Sequence, residues 1–102
     1  MVRYLMQFNV QGHDQSAAQE IIDEYFNLLQ KEGPAGMRSQ CYADNENDCR
    51  FVHIKSFKKE SVANRHFRST IFKKYIEQLK VVCEQQPFFF RLQQQQTFES
   101  IY

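Results

Sequence analysis

Three histidines are the side chains of this sequence best suited to acid–base chemistry near neutral pH. His66 lies in the run 62–75, whose apolar spacing predicts a helix. A histidine there usually bonds a backbone carbonyl or a carboxylate, but it is also the first candidate for a base. His53 stands in a strand-like run, 50–57, where we expect it at a subunit interface. His13 falls in a predicted turn, where we expect it to be solvated.

Two further polar side chains are weaker candidates for contact with a ligand. Asn9, near the end of the first predicted strand, has an amide that can orient a substrate oxygen, although such asparagines are often turn formers. Tyr75 can hydrogen-bond a phenolate, although an aromatic residue at helical spacing belongs to a core more often. Tyr4 has the same chemistry and is assigned to the core.

The cysteines predict neither a metal site nor a disulfide framework. Cys41, Cys49 and Cys83 form no CxxC pair, and their number is odd. Reduced thiols, no apolar run of about 18 residues and no signal-peptide pattern after Met1 together predict a cytoplasmic protein outside the membrane. A disulfide between Cys41 and Cys49 across a hairpin is a minor alternative.

The composition indicates a single globular domain over residues 1–102, with 42 % apolar residues. A chain of this length buries only about two-thirds of its unfolded surface, so a partner subunit would add stability. Thirteen Lys and Arg against twelve Asp and Glu leave a net charge of +1, which argues against nucleic acid and anionic membranes as partners.

The elements that must position these candidates are predicted in the order βαββαβ. Alternation predicts a first strand over 2–10, and helical spacing after a capping-box pattern of Ser16 and Gln19 predicts the first helix. Two β-prone runs, 37–43 and 49–57, predict a hairpin about an acidic, amide-rich turn.

The second half of the chain predicts a divided helix and a last strand. Ser61 is the predicted N-cap of the second helical stretch, and Ser69 interrupts and recaps it. Residues 88–92 read as the last strand. We expect the glutamine run and the aromatic tail, residues 93–102, to pack on another surface or to continue over a partner's edge.

This order predicts an α+β fold, a ferredoxin-like βαββαβ antiparallel sheet with its helices on one face. Neither face of the strands is purely polar; in the first strand, Leu5 and Asn9 oppose Met6 and Phe8. A solvated sheet face usually alternates cleanly between apolar and polar residues. The mixed pattern therefore predicts that the open face is buried in a homodimer.

The stretch 56–75, SFKKESVANRHFRSTIFKKY, resembles the signature of the antibiotic biosynthesis monooxygenase family of dimeric α/β barrels. Phe57 stands where that family ends its third strand on an aromatic residue. His66, Ser69 and Phe72 match the first His, the Ser and the Phe of its pattern Ala-His-x-x-Ser-x-His-Phe. The resemblance extends over nearly the whole chain.

The sequence departs from the family pattern at two positions, since Ile71 replaces the second histidine and Arg65 replaces a small residue. The resemblance nevertheless implies a monooxygenase that oxidises a quinol-like or polyphenolic molecule with dioxygen, without flavin, metal or other cofactor. The site residues that we assign are His66, Asn9 and Tyr75 as catalytic and Phe57, Phe72 and Ser69 as substrate-binding.

Other functions stay open at this point. The same superfamily resembles small-metabolite isomerases, and the missing histidine also fits a non-catalytic dimeric ligand-binding protein. Haem degradation is a minor alternative, because Ile76 falls where the resemblance implies a proximal histidine. RNA binding is disfavoured, because the run 50–54 lacks the glycine of an RNA-binding strand.

Overall fold

The computed structural model describes residues 1–101. A short 3-10 turn at Gly12–Asp14 precedes the first helix. In chain order the elements are β1 (Val2–Asn9), α1 (Gln15–Glu32), β2 (Met37–Asp44), β3 (Asn47–Phe57), α2 (Glu60–Phe67), α3 (Thr70–Val82) and β4 (Phe88–Leu92). The predicted α+β fold with the order βαββαβ is therefore confirmed, with the second helix divided in two.

The four strands form one antiparallel sheet in the order β2-β3-β1-β4. The helices cover one face of it, and α1 packs beside α3. Between helices and sheet lies a core of fully or nearly fully buried apolar side chains, most of them from β1, α1 and α3; they include Met6, Phe8, Ile22, Tyr25, Phe72, Tyr75 and Leu79.

Ser69 divides the second helix as predicted. Its Oγ accepts a hydrogen bond from the backbone N–H of Phe72 at 3.2 Å, which caps α3. The same Oγ donates to the carbonyl oxygen of His66 at 2.6 Å and so ties the end of α2 to the start of α3. An N-cap of this kind satisfies a helix donor that otherwise has no partner.

The other two predicted helix starts are wrong. Ser16 lies inside α1, because the 3-10 turn, in which the N–H of Asp14 donates to the carbonyl of Gln11, runs directly into that helix. Ser61 lies inside α2, because the carbonyl of Lys59 already accepts the first helical bonds. In both places the backbone turn before the helix, and not a hydroxyl, determines where the helix begins.

The prediction that His53 lies at a subunit interface is wrong, because His53 faces the helices and is fully buried. It pairs with Met6 of β1 and with Cys41 of β2 across the sheet, and all three side chains share the covered face. Alternation along β3 then places Lys55 on that face as well.

The disulfide alternative is also contradicted. Cys41 lies opposite His53, so Cys49 is not its partner in the hairpin, and both thiols are free.

The open face carries large apolar side chains that no described element covers. Leu5, Val52 and Ile54 are half-buried in the middle of this face. Phe88 and Phe90 of β4, on the same face, are 49 % and 53 % exposed. Residues 93–101 form neither helix nor strand, and Gln94 accepts a hydrogen bond from Arg3 at 3.4 Å. Packing of this tail on a partner's edge stays a prediction. None of the helices in residues 1–101 has the length and hydropathy that a bilayer crossing requires.

Candidate active site

Four polar side chains form a continuous chain of hydrogen bonds between the sheet and the helices. His66 of α2 and Tyr25 of α1 are joined between Nε2 and Oη at 2.8 Å. Lys55 of β3 donates from Nζ to the same Oη at 2.8 Å and to Oγ of Ser39, on β2, at 3.2 Å. We call this chain, from His66 through Tyr25 and Lys55 to Ser39, the relay.

The directions of these bonds define the protonation of His66. Because Lys55 donates to the oxygen of Tyr25, the phenolic hydrogen is left to be donated to Nε2 of His66. The proton of a neutral His66 is then on Nδ1. Burial, with a smaller contribution from the charge of Lys55, lowers the pKa of His66 to about 4. His66 is thus a neutral base at pH 7, and burial raises the pKa of Tyr25 and keeps its proton in place.

Lys55 is a buried cation without a counter-charge. Its side chain is fully buried, and no carboxylate in the part of the chain that the structure describes forms an ion pair with it. Nζ lies 4.6 Å from the ring centre of Tyr25 and 5.6 Å from that of Phe72. Burial lowers the pKa of Lys55 to about 7. The amine can therefore exchange its proton at the pH at which most enzymes work.

A second buried pair lies beside the relay. His53 Nε2 and Tyr75 Oη are 2.6 Å apart, and the ring of Tyr75 stacks on that of Tyr25 with centres 4.0 Å apart. Burial lowers the pKa of His53 to about 2. Nδ1 of His53 is buried and has no hydrogen-bond partner among residues 1–101. An unpartnered buried nitrogen is costly, so it marks a place where a water molecule or a ligand atom would be stabilised.

Five of the six site residues predicted from the sequence lie together around His66 and Tyr75. Phe57 and Phe72 pack against the histidine, with ring centres 5.9 Å and 5.4 Å from that of His66. Ser69 bonds the backbone of His66 and therefore positions the histidine. A contact of Ser69 with substrate stays a prediction.

Asn9 is the residue that the structure does not bring to this cluster. Its neighbours Phe8 and Val10 face the helices, so Asn9 lies on the open face. There its Oδ1 accepts a hydrogen bond from Nε of Arg50 at 3.3 Å.

Two clefts between α1 and β2 lie on either side of Phe26. The first, of about 300 Å³, is lined by Ser39 together with Leu29, Gln30 and Met37, and we call it the Ser39 cleft. The second, of about 380 Å³, is lined by residues that include Ile22, Asp23, Cys41 and Phe51. Because Ser39 belongs both to the relay and to the first cleft, the relay connects His66 to the wall of a cavity of ligand size.

Three of the four residues of the relay were not identified from the sequence. Tyr25, Lys55 and Ser39 were not singled out. The alternation of β3 offered one signal. Lys55 lies at an even spacing from Phe51 and Phe57 along the strand, so it points to whichever face buries them. Over residues 1–101 no group of three or more His, Cys, Asp or Glu is placed to hold a metal ion.

Comparison with known proteins identifies the fold. No protein-family model matches the sequence, and no curated protein matches it significantly. Solved structures do match. An antibiotic biosynthesis monooxygenase superimposes with a TM-score of 0.83 at 11 % identity over 94 % of this chain and 100 % of the other. A conserved protein from Methanosarcina mazei gives 0.82 at 17 % identity over 92 % of each chain.

A variant of SnoaB, a cofactor-independent oxygenase from Streptomyces nogalater, superimposes with a TM-score of 0.79 at 14 % identity over 97 % of each chain. The fold that the sequence resemblance implied is therefore confirmed. At these identities the likeness concerns the backbone, and the chemistry must be argued from the side chains.

Proposed function

We propose that the protein is a cofactor-independent monooxygenase that oxidises a quinol-like or polyphenolic molecule with dioxygen. The observation that carries the proposal is the relay, which links a neutral histidine to the wall of a cavity through Tyr25 and Lys55. The fold, shared with a cofactor-independent oxygenase, supports the same reaction class.

The relay provides the proton transfer that this reaction requires. A quinol hydroxyl bound against Ser39 gives its proton to the relay, and the resulting anion transfers an electron to dioxygen far more readily than the neutral quinol. One oxygen atom bonds to a ring carbon, and the other leaves as water with two hydrogens from the substrate. A quinol and dioxygen thus give a hydroxyquinone and water, and the substrate itself supplies the electrons.

The proposal includes a homodimer that is formed through the open face. The half-buried and exposed apolar side chains on that face support it, because clusters of exposed large apolar side chains often mark sites of protein association. Burial of this face would also stabilise a domain whose own core is small.

Oxygen uptake by the purified protein tests the proposed reaction. A panel of quinols and polyphenols, incubated under ¹⁸O₂ without added metal, should give a product that contains one labelled oxygen atom, detected by mass spectrometry. His66→Ala removes the terminal base of the relay, and we expect kcat to fall by roughly 100-fold, the usual contribution of general-base catalysis. His13→Ala is the matched control, because that side chain is 77 % exposed at the protein surface. A fully active His66→Ala variant would remove the histidine from the mechanism.

An isomerase is the second candidate, and the same relay favours it because it moves protons without any need for oxygen. Anaerobic turnover of a small metabolite to a product of unchanged mass would support the isomerase and contradict the monooxygenase. A lack of turnover with the whole panel would favour a non-catalytic ligand-binding protein.

A further inference from the structure

We propose that Lys55 is the counter-charge for an anionic ligand in the Ser39 cleft, and that this ligand is an acidic phenol bound as its phenolate. The inference rests on the proposed function in one respect, since it names the ionic form in which a phenolic substrate would bind. It adds a residue and a binding mode that the resemblance does not supply.

Lys55 is buried without a carboxylate partner among the described residues. Buried ammonium groups are normally paired with a carboxylate, because an isolated charge loses its hydration on burial. Lys55 meets only the two hydroxyls of Tyr25 and Ser39, together with aromatic rings. Two of its three N–H groups have acceptors among the described residues, and the third is available. An anion that reached this site would complete both the charge and the hydrogen bonding.

The side chains packed directly around Lys55 bring no charge that could stand in for it. The titratable groups that face it from the elements packed there are all neutral at pH 7. Burial raises the pKa of both tyrosines, raises that of the thiol to about 11 and lowers those of the histidines to about 2 and about 4; these groups are Tyr25, Tyr75, Cys41, His53 and His66. The carboxylate of Asp23, which lines the second cleft, also raises the pKa of Cys41. The affinity of the site for an anion therefore depends on Lys55.

The hydroxyl of Ser39 gives a ligand in the cleft a path to the amine of Lys55. Ser39 accepts a hydrogen bond from Lys55, so its own hydroxyl hydrogen is free to be donated to a ligand oxygen in the cleft. The oxygen of the ligand is then one hydroxyl away from the cation. If Ser39 turns aside, the same oxygen can accept directly from Nζ, at the charge-assisted strength of such bonds.

The lining and the volume of the Ser39 cleft indicate which kind of anion it could hold. Phe26, Leu29 and Met37 line the Ser39 cleft together with polar groups, and these three side chains suit the faces of an aromatic ring. A volume of about 300 Å³ is at the small end of ligand pockets and suits a single ring. A single cation beside these three apolar side chains favours a singly charged aromatic anion over a phosphate, which would need several charged donors.

The probe for the test is 4-nitrophenol, whose phenolate absorbs visible light and which is not a reduced quinol that donates electrons to dioxygen. Just below the pKa of the free probe, the native protein should increase the phenolate absorbance in a saturable way. Lys55→Met keeps the length of the side chain and removes the charge, and we expect about tenfold or greater loss of phenolate affinity from the lost charged hydrogen bond. Lys73→Met, at an exposed position of α3, is the matched control and should bind as the native protein does.

Gln30→Trp gives a second test that does not change the buried network. Gln30 is exposed at the mouth of the Ser39 cleft, so an indole there should block the cleft while the fold, followed by circular dichroism, is retained. The inference is overturned if the native protein produces no increase in phenolate absorbance, or if Lys55→Met or Gln30→Trp binds the phenolate unchanged. Because this readout involves no oxygen, phenolate binding without oxygen uptake would reject the monooxygenase alone, and oxygen uptake without phenolate binding would reject the role of Lys55 alone.

Discussion

A covered sheet face is expected to be apolar and an open face polar, and both faces of this sheet depart from that expectation. On the face under the helices, β3 buries two ionisable side chains, His53 and Lys55, completely. On the opposite face the same strand presents Val52 and Ile54, and β4 adds phenylalanines that are about half exposed. Buried ionisable groups thus lie on the covered face beside the apolar core, and large apolar groups are exposed on the other face. In our proposal the covered face serves the reaction and the open face serves the dimer.

The buried polar groups of one face and the exposed apolar groups of the other need different partners to be stabilised. On the covered face, the aromatic hydroxyls of α1 and α3 hydrogen-bond the buried amine and imidazole, which offsets part of their desolvation. On the open face nothing in the described chain covers the apolar side chains, so only a second molecule could remove them from water. Changes on the open face should alter assembly, and changes under the helices should alter stability, pH dependence and catalysis.

The largest effect is expected from a charge among the exposed apolar side chains of the open face. Phe90→Asp should weaken the proposed dimer by roughly 100-fold or more, because its carboxylate would be buried without a partner in the interface. Sedimentation equilibrium over a range of concentrations measures this change. The monomer should still fold, since the side chain of Phe90 is 53 % exposed within the subunit.

Val81→Asp provides the matched control for this comparison. Val81 is an exposed apolar residue of α3, 77 % accessible, on the helical side of the molecule. Its substitution should leave the dimer unchanged. A native protein that remains monomeric at high concentration, or a Phe90→Asp variant that dimerises normally, would contradict the assignment of the open face to association.

The next effect is on the pH dependence of stability, and it comes from Lys55 on the covered face. In the unfolded chain the amine has its ordinary pKa of 10.5, and in the folded protein burial lowers this pKa to about 7. Between pH 7 and 8.5 the unfolded chain therefore holds a proton that the folded protein has largely released. Stability should rise with pH in this window by up to about 1.4 kcal/mol per pH unit.

Lys55→Met should remove most of this rise, which denaturant unfolding at several pH values would measure. The window ends at pH 8.5 because the buried thiols of Cys41 and Cys83, with pKa values raised to about 11, contribute an opposite slope above it. Lys73→Met, at the surface, should keep the native slope. An identical slope in the native protein and in Lys55→Met would show that the amine stays charged when buried.

A hydroxyl shared by two polar groups gives the third prediction. Tyr25→Phe leaves both Lys55 and His66 without their common partner, and we expect a loss of about 2 kcal/mol in the free energy of unfolding. Tyr42→Phe is the control on the other face, where its hydroxyl is exposed and accepts only from Gln40. That change should fall within about 0.5 kcal/mol of the native protein. Equal effects from the two substitutions would remove the energetic distinction between the faces.

Local chemistry made part of this structure predictable. The order of the elements follows from apolar periodicity, and Ser69 is recognisable because a cap needs only its own hydroxyl and the N–H three residues later. His66 was identified through its motif. Its actual partner, Tyr25, lies 41 residues away in the chain, and no local pattern connects the two.

The errors have a physical cause in the strands. Alternation divides β3 into two sets of residues but does not say which set faces the helices when both are mixed. Placing His53 at an interface was one consequence of that ambiguity, and overlooking Lys55 was another. Only the register against β1, where His53 pairs with the buried Met6, assigns the faces.

The smallest effect is expected at the cap that holds the helical cover together. Ser69→Ala removes both the cap of α3 and the bond to the carbonyl of His66, and we expect about 1 kcal/mol of destabilisation in denaturant unfolding. Ser61→Ala is the matched control, because Ser61 is exposed inside α2 and caps nothing, so alanine there should be neutral or slightly stabilising. Because Ser69 orients His66, its loss should also reduce kcat of the proposed reaction more than Ser61→Ala does. If the two variants are equal in both measurements, the break between α2 and α3 does not depend on the hydroxyl, and His66 is positioned by packing against Phe57 and Phe72 alone.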